Sequence, residues 1–245
     1  MLRFKLIIAY DGKPFVGWQR QDNGLGVQEV IERAVKAFSG EKVACHCAGR
    51  TDAGVHAYGQ VAHFDLSGDW DPGRVRDALN ANIRPQPISI IAVEVVDEKF
   101  HARFSAIERH YEYHILNRRS PPALELGRVW WVPSTLDAMS MRDAAKMLQG
   151  KHDFSSFRAA GCQAQSPIKT LNELTVKKAG DCLIINARAR SFLYHQVRNI
   201  VGTLSLVGLG KWSKENVIQA LKACDRTRGG PTAPSEGLFL VDVTY

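Results

Sequence analysis

The chain has 245 residues, 45% of them hydrophobic, with a formal net charge of +7 and an isoelectric point of about 9.2. This content supports a packed core and excludes a disordered chain. No apolar run reaches the ~20 residues of a membrane-spanning helix, and the first residues lack the long apolar stretch and cleavage site of a secretory signal, so a cytoplasmic location is expected.

In chain order, Phe4, Leu6, Ile8 and Tyr10 alternate and predict a strand. Val27, Val30, Ile31, Ala34, Val35 and Phe38 follow helical spacing, and Gly40 stops that helix. Residues 42–48 and 58–66 read as strands on either side of a glycine-rich loop. Asp71-Pro72 opens a second helix, with Asp71 as cap and Pro72 in the first turn. Residues 88–96 are β-branched and form a fourth strand. The first half is therefore β-α-β-β-α-β. The second half is read the same way: a strand over 111–116, a helix over 136–148, and a hairpin of 170–178 with 182–189. A long helix over 191–207, a short one over 213–223 and a last strand over 238–243 follow. The fold class is α+β, with two ferredoxin-like or RRM-like halves, residues 1–105 and 106–245. Mostly antiparallel sheets joined side by side, with helices on one face, would leave an open face as an RNA-binding cleft. Loops covering that face are the alternative.

Five cysteines, an odd number with no C-x-x-C pair, fit a reducing compartment. Cys45 and Cys47 flank His46, but i, i+2 spacing on a strand merely puts both thiols on one face, and no metal is expected. Several cations stand beside rings: Arg103 by Phe104, Arg109 and His110 by Tyr111, Arg190 by Phe192, and Arg198 after Tyr194. Arginine for phosphates with rings for stacking is the mixture of a nucleic-acid surface; a solvated basic face is the other reading. Two loops, 10–19 and 226–234, combine Gly/Pro punctuation with groups suited to phosphates. Neither contains a nucleotide-binding fingerprint, so no nucleotide cofactor is expected.

The most informative stretch is Gly49-Arg50-Thr51-Asp52-Ala53-Gly54-Val55-His56-Ala57. It sets one carboxylate, Asp52, between glycines and two residues after an arginine. Glycine permits tight turns and close approach of a ligand. Arg50 can secure and orient the Asp52 carboxylate, which at an ordinary pKa of about 3.9 is already ionised at neutral pH. A fixed, lone carboxylate suits a nucleophile; a surface turn with a routine ion pair is the bland reading.

These stretches resemble the tRNA pseudouridine synthase I (TruA) family over nearly the whole chain. The likeness includes Tyr10-Asp11-Gly12 with Phe15 and Gly17-Trp18-Gln19, the Gly49–Ala57 loop, Phe100–Ala106 and Tyr111-x-Tyr113. It continues through Asp153–Arg158, Val197–Gly202 and Glu236-Gly237-Leu238. The resemblance implies isomerisation of uridine to pseudouridine in the anticodon stem-loop of tRNA, at tRNA positions 38–40. It also implies a homodimer, and neither cofactor nor catalytic metal. It makes Asp52 the nucleophile and Tyr111 the ring against the uracil. Arg50 is a candidate to fill the space that the base leaves, and Arg188 a second partner for Asp52. Leu238 becomes an apolar pocket wall. Without the resemblance, Tyr111 reads as a half-buried strand tyrosine, and Arg188 and Leu238 also permit a solvated arginine and core packing. Attack on the ribose C1′, attack on the base and help in proton abstraction all remain open to Asp52. His56 and His63 are read as structural histidines, and Trp18, Phe154 and Phe157 as anchors. Two rival readings are a non-catalytic RNA-binding protein and a carboxylate-dependent nucleosidase. The latter needs a second acid, for which Asp11 is the nearest candidate.

Overall fold

The computed structural model describes residues 1–245. Its strands and helices are, in chain order, β1 (Leu2–Tyr10), α1 (Val27–Ser39), β2 (His46–Cys47), β3 (His56–Leu66), α2 (Pro72–Ile83) and β4 (Ile88–Val96). There follow β5 (Glu108–Leu116), β6 (Trp130–Trp131), α3 (Ala138–Lys146), β7 (Gly150–Asp153), β8 (Ile168–Ala179) and β9 (Cys182–Ala189). The chain closes with α4 (Gln196–Gly208), α5 (Lys214–Ala223) and β10 (Leu238–Thr244). It divides into two compact units, Met1–Ile107 with Phe239–Tyr245, and Glu108–Leu238.

The first unit is the predicted β-α-β-β-α-β, with one addition. Its strands run β4-β1-β3, all antiparallel, and the far edge of β3 is shared. The start of β3 pairs in parallel with β10 through Phe239↔His56 and Leu240↔Ala57. Further along, β3 pairs antiparallel with β2 through His46↔His63. Expected with the second half, the last strand thus belongs to the first unit's sheet. Phe4, Leu6 and Ile8 alternate inward and are fully buried with Phe64, Leu66 and the inner stripe of α1, Val27, Ile31 and Val35. Asp71 caps α2 by accepting from the Arg74 N–H, as its sequence predicts. Arg3 and Lys5 point to the other face, where they pair with Asp65 and Glu94. That face is partly covered. The 97–107 segment lies across it: Ala102 N–H donates to His63 Nδ1 (3.2 Å), and the Tyr245 hydroxyl donates to Ala102 O (2.8 Å).

The second unit departs from the predicted repeat. Its sheet runs β5-β9-β8-β7, all antiparallel, with β6 added in parallel to β5. The β7 strand, Gly-Lys-His-Asp, has no apolar alternation to reveal it, and α4 begins five residues later than its hydrophobic spacing suggests, at Gln196 rather than Ser191. The cause is His195, whose φ of 58° and ψ of 11° are left-handed and end the irregular connection from β9. Tyr113, Ile115, Leu174, Val176, Ile185 and Ala187 share one buried sheet face, and Met141 and Ala144 of α3 with Ile200 and Leu204 of α4 complete the core. Trp18, Phe154 and Phe157 are likewise buried.

Candidate active site

Backbone contacts distant in sequence hold the Asp52 loop. Asp52 forms an isolated antiparallel bridge with Gly17. Beside it, Trp18 N–H donates to Thr51 O (3.0 Å), and Val55 N–H donates to Asp52 O (3.2 Å). The Tyr10 and Thr51 hydroxyls share a 2.7 Å hydrogen bond. Gly12 N–H lies 3.0 Å from His56 Nδ1 and donates to it. Loops 10–19 and 49–57 are therefore one assembly, the first clamping the second. Gly17 sits at φ +113°, and a Cβ there would lie 2.6 Å from Thr51 O, so the bridge requires glycine. At the loop's other end Gln60 Nε2 donates to Gly49 O (2.7 Å). Thr51 and Val55 are buried, Asp52 is half-buried, and Arg50 is exposed. The result is a main chain that holds Asp52 at a partly open position, with an arginine in the same turn.

Asp11 carries no second-acid geometry. Its Oδ1 accepts from Lys13 N–H (3.0 Å) and lies 3.2 Å from His56 Nδ1, so it serves the clamp. Burial pushes the Cys47 thiol up to about 12, against the pull of Arg50, and raises Cys45 as well. Cys45 is buried in the core, and Cys47 is half-buried beside it.

In the second unit, strand parity separates two of the expected residues. Tyr111 is opposite Ala187, on the buried face, 9% exposed, and its ring meets Phe192 edge-on at 5.2 Å and 88°. Arg188 leaves the other face. There its guanidinium meets Glu173 (3.1 Å), Glu108 (3.4 Å) and His110 Nδ1 (3.1 Å). All three of its nitrogens are engaged within the unit. Leu238 is buried at the end of a segment fastened to Tyr113. The Tyr113 hydroxyl donates to Pro234 O (2.7 Å), and a Cβ on Gly237 would lie 2.8 Å from the Tyr113 ring. Burial raises the Tyr113 pKa far above the ordinary tyrosine range, so the hydroxyl remains a donor.

Known proteins match this sequence. The tRNA pseudouridine synthase family model matches residues 6–105 and 144–245. The chain belongs to the tRNA pseudouridine synthase family. A tRNA pseudouridine synthase A of Paramagnetospirillum magneticum is 57% identical over 245 residues, covering 100% of this chain and 96% of its own. Relatives of the same name from Beijerinckia indica (58%) and Methylocella silvestris (57%) also match over 100% of this chain, and over 94% and 99% of their own. Membership makes the chain an isomerase that acts on uridine in tRNA.

In this tRNA pseudouridine synthase the helix-free sheet faces carry both signs of charge. The 97–107 segment crosses part of the first unit's face. In the second unit Glu108, Glu112 and Glu173 share the face with Arg188, His110, His114 and exposed Lys177. Of the two loops thought suited to phosphates, 226–234 also uses its first cation internally. Arg226 donates to Gly230 O, Asn199 Oδ1 and Thr232 Oγ1. Sequence reasoning missed the clamp by Gly12 and the Phe192 ring against Tyr111. The Arg190-x-Phe192 pairing, directly after the end of β9, was the available signal for the second.

Proposed function

We propose that this protein converts uridine to pseudouridine in the anticodon stem-loop of tRNA, with Asp52 acting directly on the extruded nucleotide. We propose further that it works as a cytoplasmic homodimer. What supports the stem-loop substrate and the dimer is family membership. What supports Asp52 is geometry: a carboxylate placed by main-chain hydrogen bonds on both sides, in a loop that needs glycine where it meets its clamp.

The chemistry suits that residue. The C1′–N1 bond breaks, the uracil turns, a C1′–C5 bond forms, the C5 proton leaves, and N1 gains one. Atoms and electrons balance without redox partner or hydrolysis, so the reaction calls for neither nucleotide nor metal. A single carboxylate serves as nucleophile or ion-stabilising group. Extruding the base costs a few kcal/mol, which phosphate contacts and stacking offset. Tyr111 is the ring assigned to the uracil, with Phe192 holding its orientation. Leu238 supplies an apolar wall, and Arg50 takes the space that the base vacates.

The test is tRNA carrying tritium at uridine C5. The protein should release tritium and yield pseudouridine. Asp52→Asn should abolish release yet hold tRNA within several-fold of the wild-type Kd, because phosphate contacts dominate affinity. Near-wild-type release by Asp52→Asn would reject the assignment, and free uracil would mark a nucleosidase instead.

A further inference from the structure

The connection between β9 and α4, residues 190–195, contains an aromatic ring that the reaction as described does not use. Tyr194 is 45% exposed, whereas Leu193 and Gln196 beside it are buried. Its backbone is held on both sides. Tyr194 N–H donates to Cys162 Sγ (3.3 Å), and Tyr194 O accepts from Ala159 N–H (3.1 Å). Its ring lies 3.8 Å from the His195 ring at 33°. His195 is one of two non-glycine residues with positive φ, a strained conformation that persists only where neighbours enforce it. They do so here: Leu193 N–H donates to Gln196 Oε1 (2.8 Å), and His195 O accepts from Asn199 N–H (2.9 Å). In the same turn, buried Gln196 Nε2 has no hydrogen-bond partner, a feature that folded proteins seldom keep without a use.

We infer that Tyr194, backed by His195, is a preorganised stacking platform for a nucleobase of the tRNA other than the target uridine. This rests on the tRNA reading above. Two residues upstream Phe192 meets Tyr111, so the platform shares a short, tethered segment with the ring assigned to the uracil. Arg190, in the same segment, is exposed, and Arg158 braces the loop carrying Cys162 through that loop's carbonyls. A single exposed ring on a tethered backbone, in a segment that also carries an exposed arginine, is the form of a base platform. Because the segment is already rigid, little ordering entropy is lost on binding.

The experiment compares Tyr194→Ala, Tyr194→Leu, Tyr194→Phe and Tyr194→Trp for tRNA Kd, for kcat and KM of tritium release, and for mass in solution by light scattering. Stacking by one ring should make Tyr194→Ala and Tyr194→Leu bind about 5- to 150-fold more weakly, with the loss in KM rather than kcat. Tyr194→Phe and Tyr194→Trp should restore binding. The proposal falls if Tyr194→Ala binds as wild type, or if leucine rescues as well as phenylalanine, which would mean simple packing. It also falls if the alanine variant changes the assembly's mass, which would place the ring in a protein interface. If Tyr194→Ala does not fold, the leucine–phenylalanine comparison decides. A wild type that releases no tritium would overturn the tRNA isomerase reading instead, and the Kd series would still report on the ring.

Discussion

Gly12 shows how a residue with no side chain positions one that has chemistry. A Cβ there would lie 2.0 Å from Val55 O and 2.5 Å from its carbonyl carbon. Both are backbone atoms, three residues after Asp52, and cannot swing aside as a side-chain tip can. Gly12→Ala must therefore push the 49–57 loop from its clamp, and misplacing a reacting group by about 1 Å costs on the order of 100-fold in rate. We expect kcat to fall about 100-fold, stability to fall by about 1–3 kcal/mol, and tRNA affinity to change little. Gly40→Ala is the comparison. Gly40 also has a special conformation, φ +76°, but nothing lies within 4 Å of its Cβ position. It should lose about 1–2 kcal/mol from left-handed strain and no activity. Equal kcat for the two variants, measured on folded protein, would refute the clamp.

At the scale of elements, β3 and the 97–107 segment that covers it form a pH-sensitive seam. His63 is buried between them, 4.7 Å from the His101 ring and 5.2 Å from the His46 ring. Burial first, then His101, Arg3 and His46, lowers its pKa from 6.5 to about 4, with Asp65 opposing. Neutral Nδ1 accepts from Ala102 N–H, and a protonated ring would lose that bond. Between pH 6.5 and about 4 the unfolded chain binds a proton that the folded chain refuses, so stability falls as pH falls through that window. His63→Gln keeps an acceptor and has no titration, so its stability profile should be flatter than wild type from pH 7 to 4. Parallel profiles by denaturant unfolding would remove His63 as the cause. The same elements show what was legible in sequence. The alternation of β1, the stripe of α1 and the Asp71-Pro72 start are local patterns and read correctly. The glycine framing of Asp52 was also local, and it led to the loop. Gly12 binding His56, 44 residues away, is a tertiary fact with no local trace. So is strand register, which turned Arg188 toward Glu108 and Glu173 and carried β10 to the first unit. Connection 190–195 read as helix because its apolar spacing continues into α4, whereas the left-handed His195 ends it.

For the molecule as a whole, charge decides what kind of surface remains for RNA. Lysine and arginine number 32 against 25 aspartates and glutamates, an excess of seven. On the helix-free sheet faces several cations are paired, Arg3 with Asp65, Lys5 with Glu94, and Arg188 with Glu108 and Glu173, while Lys177 stands exposed beside them. Exposed Arg50 and Arg190 add cations in the two segments assigned to substrate. Each phosphate neutralised by such a cation releases condensed counterions, so log Kd should rise linearly with log salt, by about 0.7–0.9 per contact. We expect tRNA affinity to fall at least about tenfold between 50 and 200 mM salt, the effect of two or more contacts on that scale. Asp52→Asn should keep the wild-type slope, because a carboxylate acting on the nucleotide's sugar or base touches no phosphate. Arg190→Ala should lower the slope by about one contact and weaken binding alike for different tRNAs. A salt-independent Kd would show that neutral contacts hold the RNA, and the basic excess would then have no part in recognition.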